Sequence, residues 1–155
     1  KYYSIDFGFS NDECAVVEVN VDGRNLYVKQ IIYQLGLTNE DLAYKLKEYG
    51  IDRNVNCVAD SAEPKSIEEL RRAGINVRPV SKSSILYGIQ KMKQFKIYVH
   101  EDSVDLLSEF SNFKFKKDRT GAITNTTVGK DHCLDAIKYA VIQFLEKPKS
   151  KVTLV

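Results

Sequence analysis

Tyr3-Ser4-Ile5-Asp6 alternates apolar and polar residues, the spacing of a strand that buries one face, and residues 2–6, 13–21 and 25–34 predict three strands. Asp22-Gly23 lies between the second and third runs and is a hairpin-turn dipeptide, so the three predict an antiparallel meander. The period then turns helical. Thr38 with Asp41 three residues on reads as a capping box, Leu42, Leu46 and Tyr49 line one face, and Gly50 stops the helix. A fourth strand over 55–59 ends at Asp60. Pro64 opens a helix that runs through Arg72 and closes at Gly74. Residues 75–80 predict a short strand, 83–95 an amphipathic helix, 97–99 another short strand, and Asp102 caps a helix over 103–110. Residues 113–117 alternate again, turn at 118–121 and return through 122–127 as a second hairpin, and a last helix covers 131–146. Residues 1–146 therefore read as one domain and 147–155, rich in lysine, as a C-terminal tail.

Composition narrows the class. A chain of 155 residues with 43% hydrophobic and 28% charged residues matches one globular domain with a substantial core and excludes disorder. The net charge of +2 excludes a global attraction to nucleic acid, so any such binding must come from local basic patches. Cys14, Cys57 and Cys133 form no C-x-x-C pair, and two lie in apolar strand-like runs; they read as core thiols of a reducing compartment. No apolar stretch approaches the ~20 residues that span a bilayer, and no signal-peptide pattern is present. The opening, directly into a strand pattern, suggests a domain of something longer.

The candidate chemistry sits at element ends. Asp6 closes the first strand, Asp60 closes the fourth, and Asp135 lies on the last helix. Burying several like charges together is costly without a compensating cation. If the fold brings these three together, the natural occupant is a hard divalent metal. Taken singly, Asp6 and Asp60 also fit turn or cap roles. Three antiparallel strands, a helix, then strands alternating with helices is the order of an α/β ribonuclease-H-like mixed sheet with flanking helices, here with an additional β-hairpin before the last helix. In that order the first and fourth strands are neighbours, which places Asp6 beside Asp60 with Asp135 presented from a helix.

Four segments carry a more specific likeness: Tyr3-Ser4-Ile5-Asp6-Phe7-Gly8-Phe9-Ser10-Asn11-Asp12, Ala59-Asp60-Ser61-Ala62-Glu63-Pro64, the stretch from Ser81-Lys82-Ser83-Ser84-Ile85 to Gly88-Ile89, and Asp131-His132-Cys133-Leu134-Asp135-Ala136-Ile137-Lys138-Tyr139-Ala140. In this order, with a basic hairpin between the last two, they resemble the C-terminal nuclease domain of tailed-bacteriophage terminase large subunits, over residues 2–144. The resemblance implies an endonuclease that makes the initiation and termination cuts in concatemeric viral DNA during packaging, in the host cytoplasm and transiently at the procapsid portal. It implies catalytic acids at Asp6, Asp60 and Asp135, which hold Mg²⁺ or Mn²⁺ as two ions, with a fourth ligand at Asp131 or His132. It also implies double-stranded DNA, a small terminase subunit and the portal as partners, together with an N-terminal packaging ATPase. This chain has no G-x-x-x-x-G-K-[ST] loop, so it corresponds to the nuclease half alone.

Helical spacing supports the fourth ligand from either residue, since Asp131 and Asp135 are four apart and His132 and Asp135 three apart. Adjacent helical residues are turned ~100° apart, which leaves only one of Asp131 and His132 pointing fully inward. A histidine contact biases a site toward Mn²⁺. Lys114, Lys116, Lys117 and Arg119 on the hairpin, and Lys82 at the head of the helix that also bears Lys91, Lys93 and Lys96, are the candidate phosphate contacts, although the helix lysines also fit a solvated face. Tyr87, Tyr98 and Tyr139 read as core positions. Competing classes are a Holliday-junction resolvase, which shares the acids and an H-x-x-D-A helix but not Asp-Ser-Ala-Glu-Pro at Asp60; an actin-like ATPase, which needs a second glycine-rich loop; and a non-catalytic DNA- or portal-docking module.

Overall fold

The computed structural model describes residues 1–8, 11–81 and 85–145. Its elements follow as β1 (Tyr2–Asp6), β2 (Glu13–Asp22), β3 (Asn25–Leu35), α1 (Asn39–Glu48), β4 (Cys57–Ala59), α2 (Pro64–Arg72), β5 (Val77–Pro79), α3 (Ile85–Met92), β6 (Lys96–Val99), α4 (Val104–Asn112), β7 (Lys114–Lys117), β8 (Ile123–Val128) and α5 (His132–Phe144). Six strands form one mixed sheet in the order β5-β4-β1-β2-β3-β6, and β7-β8 form a separate hairpin. The ribonuclease-H-like arrangement expected from the element order is the one present. In particular β1 pairs parallel with β4, Ile5 opposite Ala59, and antiparallel with β2, Asp6 opposite Ala15.

Strand pleat distributes the core over two layers. Ile5, Val16, Cys57 and Ala59 face α1 and α2, where Leu42, Leu46, Ile67 and Leu70 cover them. Ala15, Val17, Val19, Leu26 and Val28 point the other way, onto Leu106 of α4 and Ala136, Ile137 and Ala140 of α5. A register shift opposite Val16 and Val17 gives β3 an extra residue, Ile31, so that Ile31 and Ile32 both turn toward the α1–α2 layer. β4 is short and buried throughout, as a central parallel strand covered on both faces must be. All three cysteines are free and buried.

Local signals and tertiary partners compete at the helix ends. Thr38 caps α1 as expected: its Oγ1 accepts the Asp41 amide at 3.1 Å and Asp41 returns the bond to the Thr38 amide at 3.3 Å. For α4 the N-cap is Ser103 rather than Asp102, and Ser103 makes no side-chain cap bond of its own. Its Oγ accepts the Gln30 amide of β3 at 3.0 Å, while the Gln30 side chain accepts the Leu106 amide at 3.0 Å and donates to Asp105 at 2.7 Å. A strand thus caps a helix 76 residues away in sequence. Tyr98 is not a core residue: it is exposed and stacks on exposed Tyr27 across the β3–β6 edge with ring centroids 5.0 Å apart. Tyr87 and Tyr139 do pack into the core, beside Val58, Val80 and Ile142. No helix among the described residues is long and apolar enough to cross a membrane. Lys82 and the tail from 147 onward lie outside the described residues.

Candidate active site

Asp6 and Asp60 meet because their strands do. Ile5 and Ala59 are register partners, so the next residue of each strand leaves the sheet at the same edge. Asp60 begins a turn in which its Oδ1 accepts the Ala62 amide at 3.0 Å, ahead of α2 with Pro64 in its first turn. From the other side α5 packs on β1 and β2. His132 Nδ1 lies 2.9 Å from Asp6 Oδ2, with both side chains only 13% exposed. Asp135 lies one turn along the same helix and is ion-paired to Lys138.

The electrostatics describe one coupled cluster. Burial pushes the Asp6 carboxyl up; the His132 hydrogen bond opposes this, and Asp60 and Asp131 push it further. Burial raises Asp135 to about 6 against the opposing Lys138, with Asp131 and Asp6 adding to the rise. The Tyr139 phenol is pushed up by burial and then by Asp135, Asp6, Asp60 and Asp131. Asp6, Asp60, Asp131 and Asp135, from three distant segments, therefore share one field. His132 is raised to about 9, chiefly by its bond to Asp6.

Both members of the Asp131–His132 pair reach this field. His132 does so by its contact with Asp6, and Asp131, the N-cap of α5 with φ −142° and ψ 21°, does so through its charge. His132 additionally faces β2: its Nε2 is 3.7 Å from Glu13 Oε2 and 4.0 Å from Asp12 Oδ1. Asp12, Glu13 and His132 can bring ligand atoms within 4.8 Å of one another, although Glu13 is already ion-paired to Lys130.

Lys138 is not among the residues that the sequence singled out. Its side chain is 8% exposed, and its stem crosses α3 at Gly88, where a Cβ would stand 2.1 Å from Lys138 Cγ. The signals present were the i, i+3 spacing from Asp135 and a glycine in a helical stretch. Of the basic candidates, Lys114, Lys116, Lys117 and Arg119 are all exposed on the β7–β8 hairpin and its tip. Asp118 organises that tip by accepting the Thr120 and Ala122 amides at 2.8 and 3.0 Å. The hairpin leads into α5 through only three residues, 129–131.

The fold and the cluster define the class: a ribonuclease-H-like domain with a carboxylate site at the edge where β1 and β4 end. Comparison with known proteins makes this particular. A family model described as the terminase RNase H-like domain matches residues 6–143. The PBSX phage terminase large subunit of Bacillus subtilis (strain 168) is 34% identical over 143 residues, 88% of this chain and 33% of that protein, so the chain spans about a third of that relative's length. In fold it is similar to the large-terminase nuclease domain of bacteriophage SPP1, crystallised with bound Mn, at a TM-score of 0.77 and 24% identity over 90% of this chain and 85% of that one. The large terminase of the thermophilic bacteriophage D6E aligns at a TM-score of 0.75 and 22% identity, over 94% of this chain and 40% of that one. This chain belongs to the terminase RNase H-like domain family.

Proposed function

We propose that this domain is a metal-dependent DNA endonuclease that cuts concatemeric viral DNA during genome packaging. The observation that carries the proposal is the convergence of Asp6, Asp60, Asp131 and Asp135 on one edge of the sheet, with two side-chain cations, His132 and Lys138, already placed against them. The donor set fits Mg²⁺ or Mn²⁺, because it is almost wholly carboxylate oxygen. His132 and Lys138 mark where positive charge is favoured. The bound Mn of the SPP1 nuclease domain supports the same reading. The experiment is cleavage of supercoiled plasmid by the purified domain, expected with added Mg²⁺ or Mn²⁺ and absent in EDTA; cleavage that persists in EDTA contradicts it.

Asp6, Asp60 and Asp135 are the proposed catalytic residues and hold two ions, and Asp131 and His132 border the same site. When bound, the ions supply a water of lowered pKa and stabilise charge on the departing 3′ oxygen. His132 Nδ1 fixes the orientation of the Asp6 carboxylate, and Lys138 balances the charge of Asp135. The exposed Lys114, Lys116, Lys117 and Arg119 hold phosphates of the duplex without reading bases. In the longer protein that the PBSX relative represents, the remaining length supplies the packaging ATPase, and the small terminase subunit and portal are the partners, in the host cytoplasm.

Holding and cutting are separable. Replacing Lys116, Lys117 and Arg119 together by alanine is expected to weaken duplex binding and to flatten the slope of log binding constant against log salt by roughly 0.9 for each phosphate that the variant no longer neutralises. Mn²⁺ affinity stays unchanged. The measurement is a salt titration with cleavage blocked by Asp60→Asn, and an unchanged slope places the DNA elsewhere.

A further inference from the structure

We infer that Glu109 is a positioning residue for this site: reaching across from α4, its carboxylate caps the first turn of α5 and thereby leaves Asp131 turned toward Asp6 and Asp135. The inference rests on the metal-site reading above. The first amides of any helix need acceptors from outside its own backbone, and an aspartate at the N-cap ordinarily supplies one. Asp131 occupies that position in α5, yet its side chain makes no capping hydrogen bond. The Leu134 amide instead donates to Glu109 Oε2 at 3.0 Å, and the Cys133 amide lies against the same carboxylate.

Glu109 is costly where it stands. It is 4% exposed and lies on a helix whose neighbouring Leu106 and Phe110 pack with Cys133, Leu134 and Ile137. The Tyr33 hydroxyl of β3 also donates to this carboxylate. An apolar residue there would bury more comfortably, so packing alone does not account for an acid. Its polar partners are the Tyr33 hydroxyl and the α5 terminus, and at that terminus a negative group is also favoured by the helix dipole. Asp131 repels both Asp6 and Asp135, and as the N-cap residue of α5 it stands where a side chain can reach the Cys133 and Leu134 amides. Without Glu109, the Leu134 and Cys133 amides become such partners, and Asp131 turns back to cap its own helix.

The test is Mn²⁺ affinity by titration calorimetry on the full 155-residue chain, alongside plasmid nicking. Glu109→Met keeps the volume and removes the acceptor; Glu109→Ala removes both; Glu109→Gln keeps a carbonyl oxygen for the Leu134 amide. Met and Ala are expected to lose about tenfold in Mn²⁺ affinity, the usual cost of removing a group that orients metal ligands, with kcat falling in step and KM for DNA unchanged because the hairpin is untouched. Gln is expected to stay near wild type. In an Asp131→Ala background Glu109→Met should cost no further affinity. A folded Met variant with wild-type affinity overturns the inference, as does a Gln variant that loses as much as Met, or full additivity with Asp131→Ala. If the Ala variant does not fold, the Met and Gln variants carry the test. A wild-type chain that binds no Mn²⁺ overturns the metal-site reading and this inference together, whereas wild-type binding matched by the Met variant overturns this inference alone.

Discussion

Asp6→Asn and Asp60→Asn are each expected to abolish plasmid nicking and linearisation in Mg²⁺ or Mn²⁺, a loss of at least about 10³ in rate if each carboxylate sustains several kcal/mol of metal-derived stabilisation. An amide keeps the shape but cannot supply the charge. The two should part company in stability. Asp60 pushes up the Asp6 carboxyl, and an asparagine at 60 can still accept the Ala62 amide that Asp60 Oδ1 now takes. The metal-free Asp60→Asn protein should therefore melt at or above the wild-type temperature. Asp6→Asn instead removes the negative charge 2.9 Å from His132 Nδ1 and should melt lower. Wild-type-like cleavage by either variant would remove that residue from the site.

Asp135→Ala should be as damaging to cleavage and, unlike Asp60→Asn, should also destabilise the fold. Lys138 is 8% exposed and paired to Asp135, and its stem is held against Gly88 of α3. Removing one partner of a buried pair strands the other charge at a cost of about 3 kcal/mol. Adding Lys138→Met to Asp135→Ala should restore most of the stability and none of the activity, because methionine fills the same volume without a charge. Denaturant melts of the two variants decide the point: equal stability of the single and double variants would show that Lys138 is not stranded.

Much of this was readable before any tertiary contact was known. The apolar strand-like runs and the Asp22-Gly23 turn located β1 through β3, Pro64 and Arg72 bound α2, and element order alone put β1 beside β4. Asp6 and Asp60 stand out in the sequence by their places at strand ends, and Asp135 by its place on the last helix. Where the reading slipped, a long-range partner had displaced a local one. Asp102 is a good cap by residue type, yet Ser103 holds the N-cap position and Gln30 of β3 accepts an amide of that helix. Tyr98 fits a buried strand by pattern, yet β6 is a sheet edge and its ring stacks outside on Tyr27.

By itself the sequence determined the elements, their order and hence the sheet, because hydrophobic period, turn dipeptides and caps act over a few residues and each is written where it acts. Only the tertiary structure decided what surrounds the acids. Glu13 and Lys130 beside His132, Lys138 laid over Gly88, and Glu109 capping α5 from α4 join residues as many as 119 positions apart. A carboxylate's charge, orientation and pKa depend on which groups stand within a few ångströms and how little water does. Those neighbours are chosen by the packing of whole helices on the sheet, which no local pattern records.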